Sequence, residues 1–232
     1  MIGKLKSLSA NEIKMIAIFA MVIDHIAWVF IPAYSIEGYI MHIIGRITAP
    51  VMCFFITQGY FYTRNVKKYL IRLLIVAFLS QIPYMLYNGY AFADLKLNVI
   101  FNLFSCLTIL VVYDKIKNIY LKIILIVLCF GVSYFCDWTY IAPLWCLAFW
   151  VFKEDVQKRD AAFSAITILY ILMSGDYFII CVGVYLGLIL IHCYNGCKSR
   201  KRNSTAYSKW FFYFFYSLHM IAIYIVKNFL LY

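Results

Sequence analysis

At 232 residues, 66% of them hydrophobic and only 13% charged, the chain has far too few charged side chains to cover a soluble domain, in which about 25% of residues are charged. Hydrocarbon must replace water around most of it. The net charge of +11 would point to nucleic acid if the basic residues shared a soluble face. They lie instead in short loops between apolar runs, where they set orientation and meet lipid headgroups, so no nucleic acid partner is expected.

A spanning helix needs about 20 apolar residues. Read against that length, the chain gives about nine candidates: 11–31, 38–62, 69–87, 98–113, 119–136, 138–152, 161–174, 177–194 and 210–231. The fold expected is an all-α, polytopic transmembrane helix bundle. It is a single integral membrane domain over residues 1–232, multi-pass in the cell (cytoplasmic) membrane. Lys4 and Lys6 before the first run resemble a signal peptide. That run carries Asp24 and His25 and no small-x-small cleavage site follows it, so it is read as the first membrane helix.

The loops give an independent orientation. With the N-terminus inside, the inner segments hold Lys4, Lys6, Lys14, Arg64, Lys67, Lys68, Arg72, Lys115, Lys117, Lys122, Lys153, Lys158, Arg159, Lys198, Arg200, Lys201, Arg202 and Lys209. That is 18 of the 21 lysines and arginines. Lys96 and Lys227 fall outside and Arg46 falls within the membrane. So uneven a division supports both the orientation and an odd number of crossings. The aromatic run from Trp210 to Tyr216 fits a helix entering through the interface. Gly183 and Gly187 form a GxxxG, the pattern of close helix packing.

The 8 cysteines form no CxxC pair. Cys53, Cys106, Cys129, Cys146, Cys181 and Cys193 lie in apolar runs, where a reduced cysteine packs as a small hydrophobe. The spacing of His192, Cys193 and Cys197 fits no zinc pattern, so no metal is expected.

Ionisable groups inside a membrane cost at least ~2.5 kcal/mol each on insertion scales, which makes each of them informative. Asp24 and His25 stand six or seven residues before the outer end of the first helix, roughly 10 Å deep at 1.5 Å per residue. Arg46 stands about eight residues into the second helix, roughly 12 Å deep by the same rise. Matched depths pair Asp24 with Arg46 across the hairpin. His25, about 100° round the helix from Asp24, is left to face a cavity. His219 lies near the middle of the last helix. His42, a turn above Arg46, reads as an interfacial hydrogen-bonding residue. Gln81, Asn98, Asn102 and Asp137 fall in the outer half of the bundle. Buried charge of this kind fits a catalytic site, a permeation route or a structural clamp.

An ordered series of motifs goes further. Met21-Val-Ile-Asp-His-Ile26 and Ile44-Gly-Arg-Ile-Thr-Ala-Pro50 come first. Gln58-Gly-Tyr-Phe-Tyr-Thr-Arg-Asn65, Tyr69-Leu-Ile-Arg-Leu-Leu74, Ser80-Gln-Ile-Pro83 and Asn98-Val-Ile-Phe101 follow. Tyr194-Asn-Gly196 and Phe212-Tyr-Phe-Phe-Tyr-Ser-Leu-His219 close the set. The series resembles the TraX-like membrane proteins, a family founded on the protein that acetylates conjugative F-pilin, and it covers nearly the whole chain. Glutamate commonly stands in that family where this chain has Gln58 and Gln81, and proline where it has Ser217.

The resemblance implies a membrane-bound acyltransferase with acetyl-CoA as co-substrate. The acceptor it implies is a pilin N-terminus or another amine, with a glycan or lipid hydroxyl equally open. On that reading His25, Asp24, Arg46 and His219 are the catalytic candidates, a histidine serving as base or acyl carrier and Arg46 steadying an oxyanion. Arg64, Lys67, Lys68 and Arg72 face the phosphates of acetyl-CoA. Gln58, Gln81, Asn98, Asn102 and Asp137 complete the candidate substrate-binding set. A small-molecule transporter and a non-catalytic membrane scaffold are the alternatives. No pair of Gly/Pro-interrupted helices in matching positions is evident, which disfavours the usual transporter plans.

Reporter fusions after Lys68 and Arg202 are expected to read cytoplasmic, and a fusion after Tyr232 external. A cytoplasmic reading at Tyr232 would remove one crossing and overturn the orientation.

Overall fold

The computed structural model describes residues 7–197 and 207–231, so Lys4, Lys6 and the basic residues Lys198 to Arg202 lie outside the described residues. All regular elements among the described residues are helical. They are α1 (Ala10–Phe30), α2 (Ile36–Gly45), α3 (Thr48–Tyr62), α4 (Val66–Asn88), α5 (Val99–Lys115), α6 (Ile119–Tyr134), α7 (Ile141–Val151), α8 (Val156–Met173), α9 (Phe178–Cys181), α10 (Val184–His192) and α11 (Tyr207–Leu231). With α2–α3 and α9–α10 each taken as one interrupted helix, these make the nine segments expected from the apolar runs. Among the described residues four are long and apolar enough to cross a bilayer: Ala10–Phe30, Ile36–Tyr62, Val66–Asn88 and Gly175–His192. The protein is a polytopic membrane bundle.

Local chemistry sets the boundaries. Ser9 and Glu12 form a capping box at the start of α1: the Ser9 hydroxyl accepts from the Glu12 amide, and the Glu12 carboxylate accepts from the Ser9 amide at 2.7 Å. Asn65, Asn98 and Asn118 cap α4, α5 and α6 with their side-chain oxygens. Gly89, with φ of 73°, supplies the left-handed residue that ends α4.

The two interruptions are departures from the continuous helices expected at 38–62 and 177–194. Between α2 and α3 the cause is Pro50. Its ring has no N–H to offer the carbonyl of Arg46, four residues back, and would collide with it in an unbroken helix. The chain breaks at Arg46 and Ile47, and the Thr48 hydroxyl ties the new start to the Ala17 carbonyl at 2.8 Å. Between α9 and α10 the break falls at Val182 and Gly183.

The chain divides into two compact units, Met1–Met52 with Tyr170–Tyr232, and Cys53–Leu169. In the terminal unit, α1 buries a stripe of small residues, Ala10, Ala17, Ala20 and Ala27, with Ile13 and Asp24 on the same face. Small residues let backbones approach closely in a membrane. The same unit packs α10 against the α2–α3 break through its GxxxG. A Cβ on Gly183 would stand 2.2 Å from the Ile43 carbonyl oxygen, and one on Gly187 would stand 2.4 Å from Pro50 Cγ.

The central unit has an aromatic core. Trp145 and Phe149 of α7 stack on Phe163 of α8 at 5.2 and 5.6 Å, and Phe54 of α3 meets Phe149 edge-on at 5.5 Å. The short α7 is thus buried among its neighbours. α6 has the opposite character: Ile123, Ile124, Val127 and Leu128 are exposed and only Ser133 is buried. A helix apolar on its outer faces suits lipid contact.

The glycine contacts give a direct check. Gly183→Ala and Gly187→Ala should each destabilise the purified protein in detergent by roughly 1–3 kcal/mol, the usual penalty of overpacking. Gly131→Ala in α6, where an added Cβ meets nothing within 4 Å, should be neutral or slightly stabilising on helix propensity. Equal thermal stabilities for all three variants would contradict the close crossing.

Candidate active site

The α1 stripe fixes the direction of Asp24. Helical spacing from Ala17 and Ala20 places it on the face that meets α2, and there its side chain is 11% exposed. It lies so tightly on α2 that a Cβ added to Gly45 would fall 2.3 Å from Asp24 Cβ. An ionised carboxylate in such surroundings needs partners, and α2 supplies two. Asp24 Oδ1 lies 2.7 Å from His42 Nδ1, and Oδ2 lies 3.8 Å from Arg46 Nη1. The expected Asp24–Arg46 contact is therefore present, formed by an arginine that caps the broken end of α2.

His42 is a correction. The sequence suggested an interfacial hydrogen bond; the side chain is instead 0% exposed and held by Asp24. An ionised carboxylate can only accept, so His42 Nδ1 carries the proton and donates it. In the neutral ring the lone pair then resides on Nε2, which is buried with no hydrogen-bond partner among the described residues. Trp28 covers the ring at a centroid distance of 4.2 Å. A carboxylate orienting one imidazole nitrogen and leaving the other basic is the arrangement of a general base. The clue was available: His42 and Arg46 are four residues apart on one helix face, and both turn towards Asp24.

His25 meets another histidine rather than standing alone before a cavity. His25 Nδ1 and His219 Nε2 are 2.7 Å apart, with the two ring planes 8° from parallel. His219 Nδ1 lies 2.8 Å from the Phe215 carbonyl oxygen. A carbonyl only accepts, so His219 Nδ1 bears hydrogen and, in the neutral pair, its Nε2 accepts from His25 Nδ1. His25 thereby carries its lone pair on Nε2. All five side chains, Asp24, His25, His42, Arg46 and His219, belong to the terminal unit.

The remaining candidates lie in the central unit. Arg64, Lys67 and Lys68 are exposed at the turn into α4; Arg72, half-buried one turn further, lies over the Tyr69 ring at 5.3 Å. Gln58 is half-buried on α3. Gln81, Asn98, Asn102 and Asp137 are engaged with the protein itself. Gln81 donates to the Lys96 carbonyl at 2.7 Å and accepts from the Asn98 side chain at 2.9 Å, while Asn98 also donates to the Ala77 carbonyl. Asn102 donates to the carbonyls of Asp137 and Thr139, pinning a turn in which Trp138 and Thr139 have positive φ. Asp137 accepts from the Tyr84 hydroxyl at 2.9 Å. One group of cysteines does more than fill space singly: Cys53, Cys106 and Cys146 bring their sulfurs within 4.8 Å of one another.

The family model described as TraX protein matches residues 9–227. Among curated proteins, the chain is similar to the probable fimbrial assembly protein FimC, serogroup H1, of Dichelobacter nodosus. The two are 29% identical over 241 residues, covering 96% of this chain and 97% of that protein. No solved structure matches.

The Asp24–Arg46 contact should be energetically coupled. Unfolding in detergent of Asp24→Asn, Arg46→Met and the double variant is expected to give a coupling energy of at least ~0.5 kcal/mol, as for buried residues in contact. Strict additivity would mean that the two charges do not sense each other.

Proposed function

The chain belongs to the TraX family, and on that premise we propose that it is a membrane acetyltransferase, taking acetyl groups from cytoplasmic acetyl-CoA to an acceptor at the membrane or its outer face. The observation that carries the reading is the buried Asp24 carboxylate, which holds His42 through Nδ1 on one oxygen, leaving Nε2 without a hydrogen-bond partner among the described residues, and has the Arg46 guanidinium on the other.

Acetyl transfer makes three demands. The acceptor amine or hydroxyl must lose a proton as it attacks the thioester carbon, and His42 Nε2 takes it. Asp24 then faces the imidazolium that forms and lowers its energy. The carbonyl oxygen becomes negative in the tetrahedral intermediate, and Arg46 is the fixed positive charge assigned to it. The carbon–sulfur bond finally breaks and the thiolate of coenzyme A departs. His25, oriented by His219, is the second candidate for proton acceptor or acyl carrier. The coenzyme's phosphates are assigned to Arg64, Lys67, Lys68 and Arg72, which offer charge-assisted hydrogen bonds.

The relative's name, a probable fimbrial assembly protein, favours a subunit of a surface fibre as acceptor over a free lipid or glycan. A transporter is the rival reading, and the two interrupted helices that cross at Gly183 favour it, because broken helices also frame substrate sites in transporters.

Labelling separates the two readings. Purified protein, incubated with acetyl-CoA labelled in the acetyl group and with a membrane extract, should leave covalent label on protein, lipid or glycan; a transporter leaves none. His42→Ala and Asp24→Asn should each lower transfer by about 100-fold or more, the usual contribution of an oriented base. His25→Ala should cost less. If folded His42→Ala retains wild-type transfer while His25→Ala abolishes it, the base belongs to the α1–α11 pair instead.

A further inference from the structure

Cys53, Cys106 and Cys146 come from the middles of α3, α5 and α7, three helices of the central unit. They are 1%, 0% and 0% exposed. All three sulfurs lie within 4.8 Å of one another. A planar three-sulfur site with metal–sulfur bonds of ~2.3 Å sets its sulfurs about 4.0 Å apart, so small side-chain adjustments suffice to close these three around one ion. We propose that they form a trigonal site for a soft monovalent metal ion, Cu(I).

Ligand type and number choose the ion. Thiolates select Cu(I), zinc and iron–sulfur clusters among biological metals. Structural zinc is almost always four-coordinate, and no fourth histidine, cysteine, aspartate or glutamate joins this group among the described residues. The Thr57 hydroxyl is turned to the Cys53 carbonyl at 3.1 Å and the Cys146 carbonyl at 3.4 Å. Cu(I) has a filled d shell and is satisfied by three sulfurs.

Charge limits the binding as well, because an apolar interior penalises each uncompensated anion. Two thiols lose their protons to the medium as two copper–sulfur bonds form, and the third sulfur coordinates as a thiol, leaving one net negative charge. Copper arrives and remains as Cu(I), so no electron moves. Two weak thiol hydrogen bonds are given up: Cys146 to the Cys53 carbonyl at 3.4 Å and Cys106 to Asn102 Oδ1 at 3.9 Å.

The test uses the full chain purified in detergent under reducing conditions. Titration with Cu(I) against bicinchoninate should show one tightly held copper per protein, and X-ray absorption of the loaded protein should show a shell of three sulfurs at ~2.3 Å. Cys53→Ala, Cys106→Ala and Cys146→Ala should each lose that stoichiometric binding. A variant with Cys129, Cys136, Cys181, Cys193 and Cys197 all changed to Ser should keep it. The X-ray measurement needs no substitution, so it stands even if a core variant fails to fold. Absence of tight copper in the wild type, a shell of nitrogen or oxygen, or loss of binding in the five-serine variant would each overturn the proposal. Acetyl transfer plays no part in these readouts, so the site stands or falls separately from the assigned activity.

Discussion

A carboxylate placed where water cannot follow is the constraint on which the terminal unit depends. Asp24 lies some two turns inside α1, and an uncompensated charge there would cost several kcal/mol even after relaxation. The structure answers with two partners from one neighbouring helix, each on its own oxygen. For α2 to deliver them, its backbone must come almost into contact with Asp24, which leaves no room for a side chain at Gly45. The alanine stripe on α1 serves the same approach.

The break between α2 and α3 extends that logic. Arg46 caps the C-terminal end of α2 and Pro50 forbids the helix to run on. In an unbroken helix the arginine would be one more side chain on a cylinder; at a break it sits where backbone groups no longer satisfy one another. Gly183 and Gly187 then bring α10 onto the exposed backbone at Ile43 and Ile47. Charge, break and glycine contact form a single assembly, and removing any one changes what the others must accommodate.

Most of the fold was legible in the chain because its solvent is hydrocarbon. Run length read directly as helices, and matched depth was enough to pair Asp24 with Arg46. The breaks were less legible. Apolar content continues unchanged through Ile47, so hydropathy alone saw one helix, although Pro50 was in plain view. His42 was misplaced because distance from the helix end was weighed and helix face was not. Gln81, Asn98 and Asn102 looked like polar groups awaiting a substrate, whereas backbone carbonyls of distant segments had claims on them that only tertiary structure reveals. The three converging cysteines lay beyond reach altogether. They come from three separate helices, Cys53 and Cys146 lying 93 residues apart, and nothing in their local sequence distinguishes them from the other five.

The way the terminal unit draws on both ends of the chain fixes an order of events during synthesis. His42 lies 18 residues from Asp24, so at roughly 5–20 residues per second the charged hairpin is complete within a few seconds of the emergence of α1. The bond between His25 and His219 spans 194 residues and must wait on the order of 10–40 seconds, while the whole central unit is made. The backbone bonds that join Leu8 to Cys193 and Asn195 wait nearly as long. The buried charge is thus neutralised early by a near neighbour, and the histidine pair closes only once α11 has been made, after the whole central unit.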